Sequence, residues 1–328
     1  MSHITKEPHK EFITAMAITS LVAMVGLYLP VFGLLVSLFI PLPVLFYRSK
    51  LGRSKGALIL VAVTLFVAFT MRWRSVASTA FFFQLGLVGF ILSEVFEMDL
   101  SLEKTVGLTA GVVLGTGAVI LGLYGIASTN SLVAQLSAYM SSNLELALEL
   151  YREMDVSEEQ IDMVAQSLEG ILYVMLRISP AIAIVSTLLV VWSNLLLARP
   201  LLRSKQLHCP EFGTLNKWKA PEPLVWVAIA SGVLLLVPHK GLRLFGVNGL
   251  IIMMMIYFFQ GIAVVSFYFE KKQFPKILRG LLYGLIAIQQ FVLLLVIAVG
   301  FFDLWVDFRR IKKQGVDNTN ESNTERDN

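Results

Sequence analysis

The stretch Ile13–Phe46, ITAMAITSLVAMVGLYLPVFGLLVSLFIPLPVLF, contains 34 residues and not one charged side chain. At 1.5 Å per residue a continuous helix of this length would measure roughly 51 Å, too long for one crossing of a hydrocarbon core about 30 Å thick. Pro30 divides the stretch, because proline cannot continue a helix and Val31-Phe-Gly33 permits a tight reversal. The stretch therefore predicts two short membrane spans that lead into the basic loop Arg48–Lys55.

The composition of the whole chain also indicates a membrane protein. Of its 328 residues 15% are charged and 56% are hydrophobic, and the mean hydropathy is +0.72. A soluble globular protein has about 25% charged residues. The net charge of +4 comes from basic residues in short loops beside apolar runs. Such residues set topology and contact lipid headgroups, so nucleic acid is not an expected partner.

Further apolar runs predict an all-α polytopic bundle of eight or nine transmembrane helices. The nine predicted spans are residues 13–29, 31–47, 56–71, 76–93, 105–127, 171–198, 224–237, 244–269 and 277–302. The chain then divides into an N-terminal tail (1–12), a six-span unit (13–205), three further spans (206–302) and a C-terminal tail (303–328). We expect the end of that tail, which is rich in polar residues, to be disordered.

The charges of the loops predict which side of the membrane each loop occupies. Counting spans places the basic loops Arg48–Lys55, Arg199–Glu222 and Lys271–Arg279 on one side, which the positive-inside rule assigns to the cytoplasm together with the N-terminus. The insert 128–170 then lies outside. Nine spans would place the basic segment 309–313 outside as well, against that rule. Either span nine is re-entrant or the short span seven is miscounted, and the side of the C-terminus stays open.

The insert 128–170 is the one sizeable polar segment between predicted spans. It contains eight acidic residues and one arginine, a charge of 1 − 8 = −7. Apolar residues recur along it at helical spacing, and Ser157 with Gln160 predicts a capping box, so we expect an external amphipathic helical hairpin. The hairpin is either a lid or cation-attracting vestibule over the bundle, or a solvated element lying on it.

Two predicted spans carry small residues at successive four-residue steps, which place them on one helix face. These residues are Ala15, Thr19 and Ala23 in span one and Gly107, Gly111 and Gly115 in span five. Such a stripe lets a neighbouring backbone approach closely. The neighbour is either another helix of this chain or another membrane subunit.

Few polar side chains interrupt the predicted spans. Buried ionisable groups in membranes are functional candidates, and Arg177 lies within span six, although its side chain can also snorkel to the interface. Single amides in spans, such as Gln84, Asn194 and Gln260, are expected to bond a neighbouring helix.

Motifs of catalysis and metal binding do not occur in the sequence. The four histidines lie outside the predicted spans and none is spaced as a metal pair. There is no HExxH and no phosphate-binding loop. The sequence therefore predicts a protein that is not an enzyme and needs no cofactor or metal.

Five segments together carry a family pattern. They are Pro30-Val-Phe-Gly33, Ile40-Pro-Leu-Pro43, Gly86-Leu-Val-Gly89, Gln260-Gly-Ile-Ala-Val-Val-Ser-Phe267 and Gly300-Phe-Phe-Asp303-Leu-Trp305-Val-Asp307-Phe-Arg309. In these segments the chain resembles the YybS-like family of uncharacterised bacterial multi-spanning membrane proteins, over about residues 11–313. The resemblance implies a multi-pass protein of the bacterial cytoplasmic membrane.

The YybS-like family is distantly similar to the S components of energy-coupling-factor vitamin transporters, which have six spans. That similarity implies a ligand pocket near the outer face, with Arg72, Arg74, Gln84 and Arg177 as candidate lining residues. It also implies docking on a coupling subunit through small residues of span one. Here Thr19 stands where the S components have alanine, and three extra spans follow the six.

Two functions fit these features of the sequence. The first is an S-component-like subunit that binds or helps to translocate a small solute, and it requires a closed polar pocket. The second is a non-transporting scaffold or assembly protein of the cell envelope, which recruits partners, such as other membrane subunits, through its cytoplasmic loops and its glycine-striped helix. A scaffold should expose a small-residue helix face to lipid. The lipid bilayer is a partner in both cases.

Overall fold

A computed structural model of the chain describes residues 8–29, 32–71, 76–128, 131–153 and 157–309. Regular structure in these ranges is helical, with a short 3-10 helix at Leu215–Lys217. The helices are α1 (Pro8–Tyr28), α2 (Phe32–Ser37), α3 (Pro41–Leu51), α4 (Arg53–Thr70), α5 (Val76–Phe96), α6 (Leu102–Ala127), α7 (Leu132–Glu153), α8 (Glu158–Ser204), α9 (Leu224–Leu236), α10 (Lys240–Lys271), α11 (Lys276–Ile288) and α12 (Gln290–Val306). The predicted all-α membrane fold is confirmed.

Six helices of the described chain are each long and apolar enough to cross a bilayer. They are α1, α4, α5, α6, α8 and α10, and the pair α11–α12, bent by 101°, counts as a seventh candidate. By this criterion the predicted total of eight or nine spans is not confirmed. The difference arises at predicted spans two, seven and nine.

Predicted span two is divided between two short helices. α2 has six residues and α3 has eleven, with a turn between them. Pro41 and Pro43 stand in the first turn of α3, where a missing N–H costs nothing, and they cannot continue α2. Predicted span seven is α9, whose 13 residues measure only about 20 Å.

The second arm of the insert and predicted span six form one helix. α8 runs without interruption for 47 residues, through Pro180. Ser157 precedes it as the N-cap residue but makes no side-chain cap bond, so the predicted capping box is not formed. α7 is the first arm of the predicted hairpin.

The chain forms two compact units. The first comprises Met1–Ser179 and Ala183–Glu211, and the second comprises Pro180–Ile182 and Phe212–Asn328. In the first unit α5 packs against α3, α4 and α6. A Cβ atom on Gly89 would overlap the carbonyl oxygen of Pro41, and one on Gly86 would lie 2.5 Å from Leu60 Cδ1. These two glycines therefore set the distance between α5 and its neighbours.

In the second unit α10 packs against α9 and α12. The backbones of α10 and α12 approach most closely at two glycines. A Cβ atom on Gly261 would overlap the carbonyl oxygen of Val296, and one on Gly300 would overlap that of Tyr257. Tyr257 lies in the core beside this crossing, edge-on to Phe301 with the ring centroids 5.0 Å apart.

The pair α11–α12 leaves and returns to the same end of the second unit. α11 begins four residues after the last turn of α10, and Tyr283 packs on Phe269 near that end. After α12, the carbonyl of Phe308 accepts a hydrogen bond from Tyr268 Oη at 2.8 Å, again near the end of α10. Both ends of the pair therefore lie near the end of α10, the geometry expected of a re-entrant segment, which is one of the two alternatives that the charge pattern left open.

Candidate functional site

A buried arginine ties three segments together at one end of the first unit. Arg48, at the end of α3, is 2% exposed, and its Nε donates to Glu94 Oε1 at 2.9 Å. Its two terminal nitrogens also contact the carboxylate of Glu97 and the carbonyl oxygen of Ser93. Gly56 in α4 leaves room for the arginine stem, because a Cβ atom there would lie 2.5 Å from Arg48 Cγ. We call Arg48, Glu94 and Glu97 the Arg48 cluster.

The Arg48 cluster pairs one buried guanidinium with two carboxylates, and Arg53 Nε lies 3.5 Å from Glu94 Oε2 on its exposed side. A guanidinium removed from water needs opposite charge and complete hydrogen bonding, and the carboxylates of Glu94 and Glu97 supply both. In return, the hydrogen bond from Arg48 holds the pKa of Glu97 below its ordinary value.

Further polar contacts surround the Arg48 cluster at the same end. Lys50 Nζ lies 2.6 Å from the Glu11 carboxylate at the start of α1. His208 Nε2 lies 3.0 Å from the carbonyl oxygen of Phe96 and 3.1 Å from Asp99 Oδ1. The loops after α3, α5 and α8 therefore meet at one end of the unit, as the counting of spans predicts.

A second buried ion pair lies where α12 ends in the second unit. Arg309 Nη2 donates to Asp303 Oδ2 at 2.6 Å, and both side chains are fully enclosed. Gln260 Nε2 also donates to Asp303 Oδ2, at 3.2 Å, while Gln260 Oε1 accepts from the backbone N–H of Ala220. We call Gln260, Asp303 and Arg309 the Asp303 cluster.

The Asp303 cluster fastens the end of α12 to the loop before α9. Arg309 Nη1 donates to the carbonyl oxygens of Asn216 at 2.7 Å and of Trp218 at 2.9 Å. Asp307 turns the chain back with φ = 44°, and its carboxylate lies 2.6 Å from Lys219 Nζ. The loop before α9 and the segment after α12 therefore share one end of the unit.

Two of the five segments that carry the family pattern meet in the Asp303 cluster. Asp303 is not among the candidate residues predicted from the sequence. The apolar run of predicted span nine ends at Phe302, so the prediction assigned Asp303 to the C-terminal tail. α12 continues to Val306, so Asp303 is a buried helical residue. The family-pattern segment that ends at Arg309 contains Asp303, Asp307 and Arg309. These charged residues directly after an apolar run were the signal that could have identified Asp303.

The candidate lining residues of a solute pocket are not gathered together in the described chain. Gln84 faces α6: in the amide orientation that satisfies both atoms it donates to Val113 O at 3.2 Å and accepts from Gly117 N at 2.8 Å. Arg177 lies over the ring of Tyr173, 3.2 Å from its centroid. Arg72 and Arg74 lie outside the described residues.

The first unit contains a small cavity of about 10 Å³, close to the minimum for one water molecule. Gln84 and Arg177 do not line it. Its walls include Thr19, Ala23 and Phe82.

The two small-residue stripes differ in environment. Ala15, Thr19 and Ala23 in α1 are at most 1% exposed, so their stripe packs inside the described chain. The glycine stripe of α6, which comprises Gly107, Gly111 and Gly115, is exposed. A Cβ atom built on any of the three would meet no other atom of the described chain within 4 Å.

The predicted bonds from isolated amides to a neighbouring helix are made by Gln84, as described above, and by Gln260, whereas Asn194 bonds a turn. Asn194 Nδ2 donates to the carbonyl oxygen of Leu38, in the turn between α2 and α3, at 2.7 Å. Gln260 bridges α12 and the loop before α9, as described above. The amides of Asn194 and Gln260 are fully buried.

Comparison of the sequence with models of known protein families identifies the family of this chain. A family model described as "Predicted membrane protein (DUF2232)" matches residues 17–304. The chain belongs to the DUF2232 family. The match covers the Arg48 cluster, the glycine stripe, Gln260 and Asp303. This DUF2232 protein is therefore a multi-pass integral membrane protein.

One relative of this DUF2232 protein is the uncharacterized protein YybS of Bacillus subtilis (strain 168). It is 24% identical over 279 residues, which are 78% of this chain and 82% of that protein. The resemblance to YybS-like membrane proteins is thereby confirmed, whereas the similarity to S components stays a prediction. No solved structure matches the chain.

Proposed function

We propose that this DUF2232 protein is a non-transporting scaffold of the bacterial cytoplasmic membrane, which recruits another membrane subunit onto the glycine stripe of α6. The observation that carries the proposal is the open space over Gly107, Gly111 and Gly115. A helix face of glycines in lipid allows the backbone of a partner helix to approach closely, and packing of this kind drives helix association in membranes.

The buried stripe of α1 argues in the same direction. An S-component-like role would use small residues of the first span to dock on a coupling subunit. Ala15, Thr19 and Ala23 are already covered by this chain, and Thr19 Oγ1 donates to the carbonyl oxygen of Ala15 at 2.7 Å. The stripe that remains available for a partner is the one on α6.

The contacts of the candidate pocket residues also favour a scaffold. The side chain of Gln84 is hydrogen-bonded to the backbone of α6, and the guanidinium of Arg177 lies over the ring of Tyr173. The cavity in the first unit, which comprises the S-component-like spans, measures about 10 Å³ and is too small for a vitamin-sized solute, since ligand pockets measure roughly 300–1,000 Å³. The proposal assigns no catalytic step, cofactor or metal to the chain.

The proposal is tested by photo-crosslinking in the native membrane. A photoreactive residue is placed at Leu108, beside the stripe, or at Leu65 on the exposed side of α4 as the matched control. We expect a discrete crosslinked product from position 108 and none from position 65. The product should disappear when Gly111→Leu fills the stripe and persist with Gly170→Leu, another glycine with open space around its Cβ position.

Two outcomes would contradict the scaffold function. One is a set of crosslinked products that is the same at both positions or is insensitive to Gly111→Leu. The other is a saturable rise in the melting temperature of the purified protein with one solute of a vitamin panel, which would support the S-component-like function instead.

A further inference from the structure

The second unit has a surface groove beside the Asp303 cluster. It lies between the beginning of α9 and the end of α12, and its volume is about 450 Å³. This volume is within the range of small-ligand sites. Its walls are Glu222, Pro223, Val225, Trp226, Leu304 and Trp305.

The chemistry of the groove suits a cation attached to an apolar body. Trp226 is 70% exposed and Trp305 is 57% exposed, so both indoles are available to a ligand. Indole is the aromatic ring that attracts cations most strongly, and Glu222 adds a carboxylate to the same groove. Val225 and Leu304 supply apolar wall.

The groove lies where membrane lipid and water meet. α9 begins and α12 ends beside it, and tryptophan side chains prefer the interfacial level of a bilayer. Phe302 and Val306, on the same turns of α12, are more than half exposed, as lipid-facing residues are. This position makes the groove accessible to a molecule of the bilayer.

The α12 side of the groove is held in place by contacts within the second unit. Arg309 fastens the end of α12 to the loop that precedes Glu222, and the nearby base Lys219 is bonded to Asp307. Trp305 packs edge-on against Phe301, with the ring centroids 5.0 Å apart. Fixing this side of the groove in advance reduces the entropy lost when a ligand binds.

We propose that this groove binds the headgroup of a phospholipid that ends in an ammonium group, of the phosphatidylethanolamine class. The ammonium lies between Trp226 and Trp305 with Glu222 as its counter-charge, and the acyl chains extend along the exposed side of α12. This site is independent of the glycine stripe on α6 and of any subunit that binds there.

The test uses the purified full-length protein in detergent and native mass spectrometry. Dioctanoyl phosphatidylethanolamine is titrated against dioctanoyl phosphatidylglycerol, which has no ammonium. We expect saturable binding of the first lipid and no competition from the second. Glu222→Gln should weaken the binding roughly tenfold, the order expected for losing a charge partner at a cation–π site. Glu211→Gln, an exposed glutamate outside the groove, should leave it unchanged.

Three results would overturn the lipid site. They are equal binding of the two lipids, an unchanged affinity in Glu222→Gln, and binding of free phosphoethanolamine as tight as that of the lipid. Trp226→Leu and Trp305→Leu provide a second test, with a loss of binding expected from each. A tryptophan variant that fails to fold would not be informative. Glu222 is exposed, so Glu222→Gln should fold normally and still test the site.

Discussion

Asp303 and Arg309 form an ion pair at 2.6 Å with both side chains fully enclosed, across the turn that ends α12. Burying two opposite charges is costly unless both are completely hydrogen-bonded. Gln260 adds a hydrogen bond to Asp303 Oδ2, and the carbonyl oxygens of Asn216 and Trp218 accept from Arg309 Nη1, while Asp303 Oδ1 and Arg309 Nε make no hydrogen bond within the described residues. The pair therefore fixes the end of α12 relative to α10 and the loop before α9, because separating it would leave one buried charge without its counter-charge.

Removing one charge of this pair should destabilise the second unit strongly. Asp303→Asn keeps the shape of the side chain but leaves the Arg309 guanidinium buried without a counter-charge, which costs about 3–5 kcal/mol. Thermal unfolding in detergent measures the loss. Asp307→Asn, at the partly exposed pair with Lys219, is the matched control and should cost about 1 kcal/mol or less. Equal losses in the two variants would show that the Asp303 cluster has no special role.

Because the pair α11–α12 begins and ends near the end of α10, we expect the C-terminus to lie on the same side as the loop before α9. Lys217→Cys in a Cys209→Ser background and a reporter fused after the last residue should therefore report one compartment. By the positive-inside rule that compartment is the cytoplasm. Ser141→Cys, in the acidic insert, should instead react with an impermeant thiol reagent on intact cells. Opposite sides for Lys217→Cys and the C-terminal reporter would show that α11–α12 crosses the membrane.

The loop charges and isolated amides made part of this arrangement predictable from the sequence. Charge counting placed the loops around Arg48 and His208 at one end, and their side chains meet there through Glu94 and Asp99. Isolated amides in apolar runs predicted interhelical bonds, which Gln84 and Gln260 make. Both inferences rest on the high cost of an unpaired polar group in hydrocarbon, which applies whatever the fold.

The environment of each stripe and the Asp303 cluster could not be predicted in this way. Four-residue spacing establishes that a helix face permits close approach, but the identity of the neighbour depends on tertiary packing. That is why Thr19 is buried while Gly111 is open. The Asp303 cluster depends on the left-handed conformation of Asp307, which helix periodicity does not encode.

Glycines in the two environments should respond oppositely to the same substitution. Gly89→Ala places a methyl group on the carbonyl oxygen of Pro41, so it should destabilise the protein by about 1–3 kcal/mol. Gly111→Ala has open space and replaces a poor helix former, so it should leave stability unchanged or raise it by up to about 1 kcal/mol. Melting temperatures in detergent compare the two. A large loss from Gly111→Ala would mean that the stripe is packed within the chain.

The Arg48 cluster should make stability depend on pH on the acidic side. The folded-state pKa of Glu97 lies below its ordinary value of 4.5, because Arg48 donates hydrogen bonds to its carboxylate. A depressed carboxylate pKa contributes stability above the ordinary value, and that contribution is lost as the pH falls through the folded-state pKa. The melting temperature of the wild-type protein should therefore fall between pH 5 and pH 3. The Glu97→Gln variant should already melt at a lower temperature at pH 7, and its melting temperature should fall less steeply over the same range. Glu145→Gln, an exposed glutamate on α7, should keep the wild-type profile. An identical pH profile in wild type and Glu97→Gln would contradict the role assigned to Glu97.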